Sequence, residues 1–319
     1  MTYKKNFNIG SLSLYNNVLF APLAEYTDFP FRRLLRLFHK GLIYCEMTKM
    51  EALVREKCST ILKYESDMHP IGAQICGTKK DLAYDSAKIL EDLGFDIIDL
   101  NCGCPVSKIV KDGSGAAMLK DVNNIYAVLK NMVDAVKIPV TVKIRIGWDE
   151  NSIIVKDVVK AAEEAGAKAI TVHGRTKSQG YSGNSRWEYI KLAKETAKEI
   201  KVIGNGDIYT AIDTKNIFDF TNCDGIMISR GILKMPWISQ EIESFFENTY
   251  GSRDWNFRKN LLLKYIEFIL EDSNEQKAIF DIRRISGWIL RELDGIKNLR
   301  IAINSSNSIN DIIKDIRSF

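Results

Sequence analysis

The chain has 319 residues, 45% of them apolar, enough to bury one large core with a small unit beside it. Lys and Arg total 45 against 41 Asp and Glu; the resulting +4 is too small to indicate nucleic acid by itself, although it permits an RNA partner. Six cysteines (Cys45, Cys58, Cys76, Cys102, Cys104 and Cys223) form no CxxC pair, and no basic start followed by a long apolar run marks a signal peptide. A cytoplasmic location with reduced thiols is therefore expected. No membrane contact is expected either, since the longest apolar runs are strand-sized and fall short of the roughly 20 residues of a membrane helix.

In chain order, β-rich apolar runs recur: "VLFAPL" from Val18, "GLIYCEM" from Gly41, "IGAQICG" from Ile71, "DIIDLNC" from Asp96, "VTVKIRIG" from Val140, "AITVHGR" from Ala169, "VIGNGDI" from Val202 and "GIMISRG" from Gly225. Between them lie segments such as "KDLAYDSAKILEDLGF" and "SIIVKDVVKAAEEAGA", whose apolar residues return every three or four positions. Repeated strand–helix units over about 230 residues predict an α/β protein built as a parallel (β/α)8 TIM barrel. The competing doubly wound sheet loses ground because no GxGxxG opens a helix and polar residues gather at the ends of many strands rather than at one switch point. From Phe246 the strand signals stop, and "FRKNLLLKYIEFILE", "KAIFDIRRISGWILRELDGI" and "INDIIKDIRSF" carry helical spacing. The predicted organisation is a barrel over 1–245 and a small C-terminal all-α domain over 246–319. From Gly251 onward twelve Lys or Arg accompany ten Asp or Glu, so the tail is not polybasic.

Active sites of such barrels form at the C-terminal ends of the strands. Those ends hold Gln74, Asn101, Cys104, Lys143, Arg145, His173, Asn205, Asp207 and Arg230. Any one of them alone would more often be a solvated strand end; their convergence from many strands points to chemistry. "GNGDI" and "ISRG" end the last two strands, where glycine lets backbone N–H groups approach an anion and Arg230 adds a bidentate partner, so a phosphorylated cofactor is expected. Lys143 interrupts an apolar strand and must aim into the barrel mouth, because a buried ammonium without a partner is costly. A lysine there suits the N1 end of a flavin ring, whose reduced form it stabilises. His173, one of three histidines, is balanced between a structural and a functional role on sequence grounds.

"DLNCGCP" places two thiols either side of one glycine where a strand ends. Zinc needs three or four ligands and finds only these two, and a redox couple normally uses CxxC. A thiol at the barrel mouth is better suited to donate a proton to a carbon that receives hydride. Strand alternation does not decide whether Cys102 or Cys104 faces the site, since the turn begins between them.

"APLAEYTDFPFR", "DLNCGCPVSKIVKDGSGAAML", "VKIRIGW", "VHGRT", "GNGDI" and "ISRGILKMPW" resemble, in order and spacing, the tRNA-dihydrouridine synthases, flavoenzymes that reduce a uridine of tRNA to 5,6-dihydrouridine. The resemblance covers the barrel, and the helical tail is similar to that family's RNA-binding domain. It implies FMN as cofactor and NADPH as reductant, with hydride passing to C6 of the uracil ring and Cys104 protonating C5. The FMN contacts it implies are Pro22, Leu23, Ala24, Gln74, Lys143, His173, Asn205, Gly206, Asp207, Ser229 and Arg230; Asn101 and Arg145 fall on the substrate side, and no metal is implied. The chain departs from the family's usual pattern at Glu25 and Tyr26 near the flavin loop, at Ser229, where glycine is usual, and at Cys102, which is read as an apolar filler.

The expected partner is tRNA, with a uridine flipped out of its stack because C5 and C6 are inaccessible within a helix. A monomer is expected, although nothing in the sequence sets the oligomeric state. Rival readings are an FMN barrel acting on a free pyrimidine or on ribosomal RNA, and an RNA-binding barrel without catalysis. "RRISGWILREL" puts Arg284, Trp288 and Arg291 on one helical face, suited to a nucleic-acid backbone or, alternatively, to a core tryptophan flanked by solvated arginines.

Overall fold

A computed structural model describes residues 3–56, 60–249, 253–291 and 295–319; Cys58 lies outside them. The chain opens with an antiparallel hairpin, β1 (Lys5–Ile9) and β2 (Leu12–Asn16), in which Phe7 pairs with Leu14. The barrel strands follow: β3 (Val18–Phe20), β4 (Ile43–Tyr44), β5 (Thr48–Lys49), β6 (Ile71–Cys76), β7 (Ile97–Cys102), β8 (Val140–Arg145), β9 (Ala169–His173), β10 (Lys201–Asn205) and β11 (Gly225–Ile228). Between them run α1 (Phe29–Arg36), α2 (Met50–Glu56), α3 (Lys80–Asp92), α4 (Ser107–Val110), α5 (Val122–Ala135), α6 (Val155–Ala165), α7 (Glu188–Thr196) and α8 (Ala211–Thr221). The remaining helices are α9 (Gly231–Lys234), α10 (Ile238–Glu247), α11 (Trp255–Asp272), α12 (Glu275–Ile289), α13 (Lys297–Ser305) and α14 (Ile309–Ser318).

The strand order is β3-β11-β10-β9-β8-β7-β6-β4, with β5 also pairing β6, and the ladders are parallel. Between β3 and β4 the ring closes through the Phe20 N–H, which donates to the Leu42 carbonyl at 2.9 Å. The predicted TIM barrel is thus present, its second position divided into two short strands. The central strands β6 and β7 are buried at every position, as parallel strands with helices outside and side chains inside must be.

Alternation divides each strand between two apolar regions. Ile98, Leu100 and Cys102 of β7 face the helices, whereas Ile97 joins Leu19, Tyr44, Ala169, Ile203 and Met227 inside the barrel. Phe7, Ile9 and Leu14 of the hairpin complete this inner cluster, so the hairpin plugs the N-terminal end of the barrel. The sequence reading assigns no element before Val18; the alternation of Phe7, Ile9, Leu12 and Leu14 is the signal that marks it.

The expected boundary at 245/246 runs through α10. Phe246 stacks on Tyr3 with ring centroids 5.6 Å apart, and Tyr15 donates to Glu243 at 2.8 Å, tying α10 to the hairpin. The helices α11 to α14 come after it. α11 seats on α1 through edge contacts of Tyr265 with Phe31 and of Phe257 with Phe38, both at 5.7 Å, flanked by Arg33–Glu271 and Lys63–Asp272 ion pairs at 2.5 Å. Among the described residues no helix is long and apolar enough to cross a membrane.

Candidate active site

At the C-terminal end of the barrel the strands and their loops enclose a cavity of about 380 Å³. Every residue expected to serve catalysis, FMN or substrate, from Pro22 through Cys104 and Lys143 to Arg230, lies in its wall; Glu25, Cys102, Arg284 and Arg291 do not. Tyr26, expected near the flavin loop, also lines it; Met47, Val106, Tyr181, Tyr209 and Trp288 line it too and were not foreseen there. Trp288 is the most instructive: it stands on α12, so the helical unit closes part of the cavity, and the tryptophan is neither wholly core nor on an outer face.

The two thiols are separated by the strand. Cys102 is fully buried among core residues, whereas Cys104, one turn later, lies in the cavity wall. Among the described cysteines Cys104 alone is not buried. Its turn is fixed by Asn101, whose Oδ1 accepts the N–H groups of Gly103 at 3.1 Å and Cys104 at 2.9 Å. Behind the turn, the Ala116 N–H donates to the Cys104 carbonyl at 3.0 Å, and a side chain at Gly115 would meet that oxygen at 2.8 Å. The glycine of "DGSGAAML" is therefore required by close approach to the thiol's loop as well as by its φ of +60°.

Lys143 comes from β8 and is half-buried at the mouth. Burial, reinforced by Arg145 beside it, lowers its pKa to about 8, while Asp99 opposes the shift. His173 is packed among Lys143, Arg145, Arg175 and Arg230, and burial with these cations holds its pKa well below the usual histidine value. Its imidazole is neutral at pH 7. Arg175 Nη1 lies 3.4 Å from Nε2 of His173 and is always a donor, so Nε2 accepts and the ring proton sits on Nδ1.

Asp207, in a left-handed conformation with φ of 55°, accepts from Arg175 Nη2 at 2.9 and 2.7 Å, from the Ser185 N–H at 2.7 Å and from Arg230 at 3.4 Å. Its carboxylate is thus an anchor for the loop after β9 and for Arg230. Arg145 lines the cavity but spends Nε on the Gly103 carbonyl at 2.9 Å and Nη1 on those of Thr176 and Gly180 at 2.9 and 2.7 Å. It braces the Cys104 turn against the β9 loop. Asn205 donates to the Met227 carbonyl at 2.6 Å and to Ser229 at 3.0 Å, while its own Oδ1 is buried without a partner.

The cavity therefore gathers Lys143, Arg145 and Arg230 with the carboxylate of Asp207, which Arg175 holds from behind, together with an unfilled acceptor on Asn205 and a glycine at 206 with φ of +115°. This donor set fits a group that brings its own phosphate and ring N–H groups. Among the described residues no cluster of three or more His, Cys, Asp or Glu stands ready for a metal ion.

A parallel barrel whose C-terminal end holds a cationic cavity and, among the described cysteines, the one thiol that is not buried has the arrangement of a barrel enzyme. Its fold is similar to that of histamine dehydrogenase from Rhizobium sp. 4-9 (TM-score 0.59, 13% identity, covering 82% of this chain and 50% of that one) and of morphinone reductase (TM-score 0.55, 13% identity, covering 78% and 90%). A family model described as "Dihydrouridine synthase (Dus)" matches residues 19–316. The chain is 35% identical over 304 residues to a probable tRNA-dihydrouridine synthase of Rickettsia bellii (strain RML369-C), covering 94% of this chain and 93% of that protein. It is 34% identical over 301 residues to tRNA-dihydrouridine synthase B of Pasteurella multocida (strain Pm70), covering 93% and 90%. The chain belongs to the dihydrouridine synthase family, oxidoreductases that reduce uridine in tRNA with a flavin.

Proposed function

We propose that the cavity holds FMN, that NADPH is the reductant, and that Cys104 is the general acid which completes reduction of a tRNA uridine to 5,6-dihydrouridine. The observation that carries this reading is the position of Cys104: the one described cysteine that is not buried stands in the wall of the cavity that also holds Lys143 and His173. FMN chemistry supplies the hydride delivered to C6 of the uracil ring. Gly206, Ser229 and Arg230, at the ends of β10 and β11, would hold the phosphate, as glycine-rich loops at this end of a barrel do. Lys143 and the turn Pro22–Ala24 would border the ring, with Lys143 balancing negative charge on its reduced form. A thiol carries a proton that it can give to a carbon bearing negative charge, so Cys104 would protonate C5. Asn101, which holds the Cys104 turn, also lines the cavity and would border the uracil edge.

The helical unit suits an RNA partner. Trp288 faces the cavity, Arg291 lies over its ring at 5.6 Å, and α13 presents Lys297 and Arg300, which form no ion pair among the described residues. Cations on the unit that supplies Trp288 favour a polyanionic substrate over a free pyrimidine. The proposed setting is the cytoplasm, where tRNA and a reducing pool coexist.

The test is to purify the protein, identify any flavin released on denaturation, and incubate it with NADPH and unmodified tRNA. Mass spectrometry is expected to show a gain of two hydrogens at defined uridines. A colourless protein that takes up no added FMN, or one that reduces free uridine and leaves tRNA untouched, would overturn the reading.

A further inference from the structure

Asp99 is absent from the cavity wall, yet it is the buried anion from which the geometry of the Cys104 turn begins. Gln74, Asp99 and Thr141 lie side by side in register on β6, β7 and β8, one layer below Asn101 and Lys143. Asp99 is 1% exposed; Thr141 Oγ1 donates to its Oδ1 and Gln74 Nε2 to its Oδ2, both at 2.7 Å. An ionised carboxylate only accepts, so it obliges Gln74 to point its amino group at Asp99 and its carbonyl away. That carbonyl accepts from Asn101 Nδ2 at 2.8 Å. Asn101 is then left with its oxygen toward the loop, where it takes the Gly103 and Cys104 N–H groups. Reversing either amide would end the chain with an amino group facing two N–H donors.

We propose that Asp99 is a positioning residue for Cys104: its charge sets the polarity of the Gln74–Asn101 amide chain and so holds the thiol's turn in place. This rests on Cys104 being the proton donor. The titratable groups facing Asp99 are Lys143 from β8, Tyr44 from β4 and Cys102 on its own strand. Burial raises the Asp99 pKa to about 6, and below that pH a protonated carboxyl donates as well as accepts, so the chain's polarity is no longer enforced.

Asp99→Asn is nearly isosteric but offers a donor on one side, which frees Gln74 to adopt either orientation. Combining Asp99→Asn with Gln74→Glu moves the acceptor-only group to position 74 and again obliges Asn101 to present its oxygen to the turn. Two readouts apply to wild type and Asp99→Asn, the second of them also to the double variant. One is the single-turnover rate of uridine reduction by prereduced, FMN-matched enzyme from about pH 5 to about pH 8. The other is the rate of Cys104 alkylation by iodoacetamide without RNA, read by peptide mass spectrometry. Asp99→Asn is expected to slow reduction by about 10- to 100-fold, the scale of a slightly misplaced reacting group, to alter the alkylation rate, and to lack the acid limb near pH 6 expected of wild type. The double variant is expected to recover the alkylation rate, which needs no hydride; its reduction rate is left out because Gln74 is assigned to the FMN site. An Asp99→Asn enzyme matching wild type in rate and pH profile, or a double variant whose alkylation rate stays that of the single one, would overturn the proposal. Full activity in Cys104→Ala would instead overturn the acid assignment on which it rests.

Discussion

The two ends of the barrel interior are built from the same strands and serve opposite purposes. At the N-terminal end Leu19, Tyr44, Ile97, Ala169, Ile203 and Met227 meet Phe7, Ile9 and Leu14 of the hairpin in a sealed apolar plug. At the C-terminal end the same strands, a few residues on, present Gln74, Asn101, Lys143, His173 and Asn205 to a cavity. The plug contributes burial and excludes water from below; the open end contributes charge, at a cost visible in the lowered Lys143 and His173 pKa values. In this barrel stability and chemistry are divided by position along each strand, as they generally are in the fold.

The sharpest test of that division is at the thiols. Cys104→Ser keeps the shape but replaces the acid, and should slow tRNA reduction by roughly 10² to 10⁴ while leaving flavin content unchanged. Cys102→Ser should leave the rate per folded molecule near normal, with a stability loss of about 1–3 kcal/mol from a buried hydroxyl, measured by urea denaturation. If Cys102→Ser is the slow enzyme, the assignment is reversed.

At the plugged end, Ile9→Ala removes a fully buried side chain and should cost about 2–5 kcal/mol in denaturation. Turnover per folded molecule should persist. An Ile9→Ala protein that is stable yet inactive would break the comparison. At the open end, Arg230→Ala should weaken FMN retention by about 1.5–3 kcal/mol, the worth of a charged hydrogen bond, measured by flavin titration of the apoprotein.

The smallest effect concerns the cost of charge. The Lys143 pKa is lowered from 10.5 to about 8, so the folded protein binds that proton more weakly than the unfolded chain. The penalty is complete below pH 8, fades between 8 and 10.5 and is gone above. Lys143→Met should therefore raise the thermal midpoint of the apoprotein at neutral pH, by an amount that shrinks as pH rises through that window. A gain that is constant with pH would assign the effect to packing instead.

Much of this was legible in the sequence because both periodicity and strand-end chemistry are local. The barrel followed from repeated strand–helix units, and cavity residues such as Gln74, Lys143 and Arg230 from which side chains end the strands, whereas Pro22, Leu23, Ala24, Gly206 and Ser229 came only with the family resemblance. The hairpin was equally legible, since Phe7, Ile9, Leu12 and Leu14 alternate, but a short two-stranded element ahead of a barrel has no partner in sequence to announce it. The expected 245/246 boundary rests on fading strand signals, which mark the last strand; α10 (Ile238–Glu247) spans that position in the structure.

By itself the sequence determined that the protein is a parallel barrel with its chemistry at the C-terminal strand ends, because alternation and helical spacing depend only on neighbours along the chain. Which thiol reaches the cavity was settled only by tertiary structure, since β7 sends Cys102 outward and the turn held by Asn101 carries Cys104 back in. Periodicity put Trp288 on a face of α12, but the packing of α11 on α1 decided that this face meets the barrel mouth. The pairing of Arg175 with Asp207 and the amide chain from Asp99 to Cys104 likewise join residues from different strands and loops. Such contacts depend on distances across the sheet, which no spacing along the chain encodes.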